Sequence, residues 1–288
     1  MFVRPPLGRP FPRRRGVGQP PDEQQPDGEQ AEDKFYPGIY DVLKVRNILL
    51  RKVILEGVPT EVVDMIVDAA EYWPSTRTML GERKTIRKDV DQALVCTSPL
   101  CYDGKTLDMS SPKPLPHRTI HPCRKIVFDI VSHDQGGLNE HRGSESERPA
   151  YYDGTYTWFD TEVIHNAHDS IQKQVISEKM NPTDRRPKHF GPNDPLLLPR
   201  GNTLQRNRAR IQRAKRHTIT WHYLDNTPSD SPEAEDAERY EGRGRETLGG
   251  KQLREMELGD SMLVWARARF PGWVNYVDEL SIRVFWAI

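Results

Sequence analysis

His133 and Asp134 sit side by side in the run His133-Asp134-Gln135-Gly136-Gly137. An imidazole beside a carboxylate can move protons, but no nucleophile or metal ligand stands at a fixed spacing from the pair. A turn accounts for the same residues and is the favoured reading: Asp bonds its own backbone and glycine supplies positive φ. Arg267 and Arg269 are two residues apart and so project from one face of a strand. Two guanidinium groups placed that way can grip a carboxylate or phosphate of a ligand. The favoured alternative is internal pairing with acids of a neighbouring strand, such as Asp278 or Glu279. Trp158 and Trp273 fall near strand ends, where an indole face can stack on a sugar ring or simply fill core. Trp221, Trp265 and Trp286 lie inside strands and read as core.

Cys96, Cys101, His117, His121 and Cys123 hold the sulfur and imidazole donors of a zinc site, but without a C-x2-C knuckle. No metal is expected. The sequence has no P-loop, no dinucleotide glycine fingerprint, no Gly-x-Ser-x-Gly elbow and no His-Glu-x-x-His. No cofactor is expected, and an enzyme is the weaker reading. Lys plus Arg (42) equals Asp plus Glu (42), which argues against nucleic acid as the partner. Arg200, Arg206, Arg208, Arg210, Arg213, Lys215 and Arg216 form one basic cluster. It is opposite in sign to the Glu233-Glu235-Asp236-Glu238 loop, and pairing between the two is the favoured reading.

The elements that must position these residues follow from periodicity. Arg124 to Ser132, His217 to Asp225, Ser261 to Arg269 and Ser281 to Ile288 alternate in side-chain character with period two, and Thr155 to Ile164 is rich in β-formers. Met262, Val264, Ala266 and Ala268 share one face; Leu263, Trp265, Arg267 and Arg269 share the other. Phe270-Pro271-Gly272-Trp273 makes a turn between the last two strands. Long irregular loops separate the strands, with little helix between them. The expected fold is therefore mainly β: an antiparallel β-sandwich of jelly-roll or galactose-binding type over 124–288. A helical segment at 35–95 precedes it, joined by a proline-rich linker at 96–123. Val62, Val63 and Ile66 lie on the apolar face of a helix that Thr60 caps and Pro74 stops. Residues 1–34 are rich in Pro, Gly, Gln and acids and read as a disordered tail. Hydrophobic content of 35% is low because such polar stretches dilute the core-forming segments. No run is apolar enough for a membrane span or a signal peptide, and three cysteines suggest a reducing compartment. The expected location is cytoplasmic or nuclear, not secreted.

The segments VPTEVVDMIVDAAEYWP, RKIVFDIVSHDQGG, TYTWFD, HTITWHYLD and GDSMLVWARARFPGWVNYVDELSIRVFWAI together resemble a group of proteins from filamentous fungi. The resemblance covers roughly residues 45–288 outside the long loops, and the Trp-Ala-Arg-Ala-Arg-Phe-Pro-Gly-Trp stretch is its most specific part. It implies no catalytic residue. Val58-Pro59-Thr60-Glu61 with Val62, Val63, Ile66 and Val67 is also similar to the first helix of an F-box, although the Cys-Arg-x-Trp ending does not follow Pro74. That likeness implies docking to a ubiquitin-ligase adaptor. The sandwich behind it resembles, in architecture alone, the sugar-recognising domains of some F-box proteins. The leading expectation is a non-enzymatic protein that binds a protein partner or a glycan-like ligand. A ligase substrate adaptor is the alternative, and a hydrolase using His133 and Asp134 comes third. The candidate ligand-binding residues are His133, Asp134, Trp158, Arg267, Arg269 and Trp273; the candidate partner helix carries Val62, Val63 and Ile66.

Overall fold

A computed structural model describes residues 35–53, 57–137, 152–184 and 186–288; the tail expected at 1–34 lies outside them. Two helices come first, α1 (Ile39–Lys52) and α2 (Thr60–Ala69). At the start of α1 the Asp41 carboxylate caps the Gly38 amide, which donates to Oδ2 at 2.9 Å. The β structure then begins at Ser75, earlier than periodicity suggested. Three short strands, β1 (Ser75–Met79), β2 (Lys84–Arg87) and β3 (Gln92–Cys96), occupy the second half of the segment read as helical. Their side chains explain the misreading: in β1 and β2 only Ile86 is buried, so neither strand shows a clean apolar alternation. Pairing with a long partner makes them strands.

That partner is the last strand of the series. β4 (Cys123–His133), β5 (Thr157–Ile164), β6 (Thr203–Arg206), β7 (Lys215–His222), β8 (Ser261–Ala268) and β9 (Val274–Trp286) complete the set, with α3 (Ser170–Met180) between β5 and β6. Two short helices, α4 (Pro232–Asp236) and α5 (Lys251–Glu255), precede β8. One antiparallel sheet runs β1-β9-β4-β7, with β2 also pairing β9; the other runs β3-β8-β5-β6. β9 has β4 along one side, and β1 and β2 in succession along the other. The Phe-Pro-Gly-Trp turn therefore does not close a hairpin: it carries the chain from β8 in one sheet to β9 in the other.

The two sheets share a single core. Ile126, Phe128 and Ile130 of β4 and Ile219 and Trp221 of β7 meet Phe159, Val264, Ala266 and Ala268 of the opposite sheet, all fully or almost fully buried. Val42, Val63, Val67 and Trp73 belong to the same cluster. The helices and the sandwich thus form one compact unit from Tyr36 to Ile288. The expected linker at 96–123 is a packed crossover between the sheets, pinned by Leu115 N to Cys101 O at 2.7 Å and by Trp286 Nε1 to Pro116 O at 3.1 Å.

A buried polar chain bolts the sheets together. Ser132 Oγ donates to Asn207 Oδ1 at 2.7 Å; Asn207 Nδ2 donates to Thr157 Oγ1 at 3.0 Å and to Asn275 Oδ1 at 2.9 Å. Asn275 Nδ2 reaches the carbonyls of Trp158 and Arg267, each at 3.3 Å. Strands β4 and β9 of one sheet are tied in this way to β5 and β8 of the other. Buried polar groups cost stability unless paired, and here each amide is shared among partners that exist in only one register.

Truncating Phe128 to Ala should lower the unfolding free energy by about 3–5 kcal/mol, the usual cost of an aromatic cavity. Thr220→Ala, exposed on the outer side of β7, should change it by less than about 0.5 kcal/mol. Urea unfolding midpoints of the two variants measure the contrast.

Candidate functional site

The six candidate ligand-binding residues sit on neighbouring strand ends and turns. The end of β4, the start of β5, the end of β8 and the start of β9 lie together, as the hydrogen bonds of Asn275 to Trp158 and Arg267 show. Val274 N also donates to Gln135 Oε1 at 3.0 Å. Most of these side chains, however, are buried and engaged.

Asp134 is fully buried. One carboxylate oxygen accepts the Gly136 amide at 2.8 Å, and the other accepts the Arg210 amide. Burial raises its pKa, while these amides oppose the rise. Gly136 has φ +73°, so the turn chemistry is the one the residue types suggested. His133 Nδ1 lies 2.7 Å from the Asp134 carbonyl oxygen, and its ring stacks on Tyr276 with centroids 4.8 Å apart. The two side chains do not face a common reacting position.

Arg267 and Arg269 pair with different acids from those anticipated. Arg267 bonds Asp91 and Asp160. Arg269, with no exposed surface, sends Nη2 to Asp91 Oδ2 at 2.9 Å and Nε to the Leu196 carbonyl at 2.9 Å. Its guanidinium carbon stands 3.7 Å from the Phe190 ring centroid and 5.3 Å from that of Trp158. Asp278 and Glu279 are used elsewhere, against Arg83 and Arg216. One buried carboxylate, Asp91, is therefore shared by two arginines, and it joins the β2–β3 turn to β8 and to the segment around 190–196. Trp158 is buried under Arg269. Trp273, almost buried, packs edge-on to Tyr156 at 5.2 Å and touches a shallow cavity with Arg87, Lys88 and Tyr276.

The helix candidates divide. Val63 is fully buried in the common core, whereas Val62 and Ile66 point outward beside Met65. An i, i+3, i+4 set makes one face of a helix. On α1, Tyr40, Leu43 and Ile48 are exposed as well, Tyr40 at 78% and Met65 at 69%. Ion pairs fix the helices beneath these faces: Arg46 with Asp64, and Arg118 with Asp68. Trp73 Nε1 adds a bond to Asp68 Oδ1 at 2.8 Å. Met65 and Tyr40 were missed in the sequence. Their signal was a helix whose apolar residues outnumber the positions one buried face can take.

No family model matches the chain, and no curated protein or solved structure matches it. The geometry of its own residues therefore carries the functional argument.

Burial pushes the Cys96 and Cys123 thiols up to about 11 and about 12, and raises Cys101 further still. Thiols held protonated in this way are poor nucleophiles. Among the described residues, no group of three or more His, Cys, Asp or Glu is placed to hold a metal ion. No helix among them is long and apolar enough to cross a membrane. The basic cluster and the acidic loop do meet at one point: Arg206 Nη2 and Arg245 Nε each hold Glu238 at 2.6 Å.

Asp91→Ala should cost about 3–5 kcal/mol of folding stability, since it leaves Arg269 buried without its counter-ion. Chemical denaturation of the variant reads this directly. His217 supplies a pH test. Burial, with Lys215 and Arg208 nearby, lowers its pKa from 6.5 to about 4; Tyr152 Oη is 2.9 Å from its Nε2. Between those two pH values the unfolded chain binds a proton that the folded chain refuses. Stability from this group is thus complete above pH 6.5 and falls as pH drops towards 4, by about 3 kcal/mol in all at 1.36 kcal/mol per pKa unit. His217→Gln should flatten that acid limb in a stability–pH profile.

Proposed function

We propose that this chain is a non-enzymatic interaction protein in which the sandwich holds α1 and α2 so that their outer faces receive a protein partner. One observation carries the reading: Tyr40, Leu43, Ile48, Val62, Met65 and Ile66 are exposed on two adjacent helices that are already anchored by Val42, Val63 and Val67. Elsewhere among the described residues exposed apolar side chains are more scattered, as at Met79, Met109, Ile120 and Ile171. Scattered apolar residues need no explanation; several on one helix pair point to a contact surface. The engaged state of His133, Asp134 and the thiols supports binding over catalysis.

A ligase-adaptor role is the second reading. It draws on the Val58-Pro59-Thr60-Glu61 start of α2 and on the exposure of Val62 and Ile66. Against it, β1 begins at Ser75, where an F-box would continue into further helices. What α2 offers is one docking helix on a β scaffold.

A photo-crosslinking residue at position 65, in the full chain expressed in cells, should trap a partner protein. Val62→Asp with Ile66→Asp should weaken that capture about tenfold or more, the scale of losing a hot spot, while leaving the melting temperature nearly unchanged. Val63→Asp should instead unfold the chain. Capture that survives the double substitution would remove α2 from the interface, and recovery of a ligase linker protein would select the adaptor reading.

A further inference from the structure

A second binding site lies away from α1 and α2. A cavity of about 310 Å3 opens between α3 and the outer face of the four-stranded sheet. Val90 from the β2–β3 connection, Gln92 from the start of β3, Val175 and Glu178 from α3, Pro182 from the segment that follows, and Trp265 from β8 line it. Trp265 shares strand parity with Leu263 and Arg267, so its indole leaves the sandwich core and forms part of this outer wall, partly exposed. The ring is held in place from several sides. Its Nε1 donates to Glu162 Oε2 at 2.9 Å, the Arg267 guanidinium lies 5.3 Å from its centroid, and Lys179 Nζ lies at 6.0 Å. The segment beyond Pro182 is tied across the opening by Lys188 N to Asp89 O at 2.9 Å.

The charges around the cavity cancel locally. Asp91 and Asp160 together neutralise Arg267 and Arg269, Lys179 is met by Glu162, and Asp184 by Arg186. Asp89 is met by Lys88 at 3.0 Å, and the remaining lining groups, Glu178 and Lys188, are opposite in sign. Such a rim exerts no net pull on an anion or a cation. It still offers carboxylate and amide acceptors and ammonium and amide donors above an aromatic, apolar wall. A polyhydroxylated ring answers both features: its hydroxyls donate and accept, and its C–H face lies against an aromatic or aliphatic surface. The volume is at the small end of ligand cavities, roughly 300–1,000 Å3, which favours a short ligand.

We propose that this cleft binds a neutral mono- or disaccharide, with Trp265 as its platform and Gln92 and Glu178 as hydroxyl partners. The site is independent of the α1–α2 face, so either can fail without the other. The test is titration of the 15N-labelled full chain with glucose, galactose, mannose, N-acetylglucosamine, cellobiose, lactose and chitobiose, following the Trp265 indole N–H resonance. The Trp265→Phe spectrum identifies that resonance by its loss. At least one neutral saccharide should shift it saturably. Val175→Trp adds bulk from the cleft wall without removing a core contact; it should weaken binding about tenfold or more while the melting temperature holds. Absence of a saturable shift with every neutral saccharide overturns the proposal. So does a response only to glucuronate, glucose 6-phosphate or indole, or a saccharide response unchanged in Val175→Trp.

Discussion

The carboxylate of Asp91 is the point on which this molecule turns. It sits almost wholly buried between Arg267 and Arg269, and each arginine carries the bond onward, one to Asp160 and the other to the Leu196 carbonyl. Four stretches of chain far apart in sequence are thereby fixed: the β2–β3 turn, β5, β8 and the long excursion after α3. Charges taken out of water are costly unless their hydrogen-bonding capacity is filled, and here a bidentate contact with Asp91 and the carbonyls of Leu196 and Ala268 meet that of Arg269, while two aromatic rings lie against it. The same cluster underlies the wall of the outer cleft, because the Arg267 guanidinium lies over the Trp265 ring.

A second constraint works at the centre of the sandwich. Apolar side chains alone allow sheets to slide, since one aliphatic contact much resembles another. The chain of Ser132, Asn207, Thr157 and Asn275 does not, because a shift of one residue would leave buried amides without partners. Packing supplies the bulk of the cohesion, and these few polar atoms select one arrangement of the two sheets.

Much of the architecture was legible in the residue types. β4, β7 and β8 alternate so regularly that their inner faces could be named, and Ile126, Phe128, Ile130, Ile219, Trp221, Val264 and Ala266 are buried as that alternation requires. What escaped notice were elements whose stability is borrowed. β1, β2 and β6 are short and largely polar, and α3 has no buried residue at all; a partner, not a local pattern, makes them what they are. At the candidate site, residue chemistry correctly suggested ion pairing for Arg267 and Arg269 but named the wrong acids, because Asp91 is 176 residues before Arg267. Trp265 does pack, but against the smaller apolar cluster of Ala93, Ile164, Ala167 and Leu263 on the outer face, where its parity with Arg267 places it.

The central place of β9 has a consequence for how the molecule is made. β1 finds its partner only when a stretch some 200 residues later is available; Arg77 and Ser281, hydrogen-bonded across the pair, are 204 positions apart. At ordinary translation rates that interval lasts roughly 10–40 s. During it β1 and β2, and later one flank of β4, lack their middle neighbour and leave backbone amides unpaired. Completion of the five-stranded sheet is therefore a late, long-range event, and the edges left open until β9 arrives are templates on which another chain could pair.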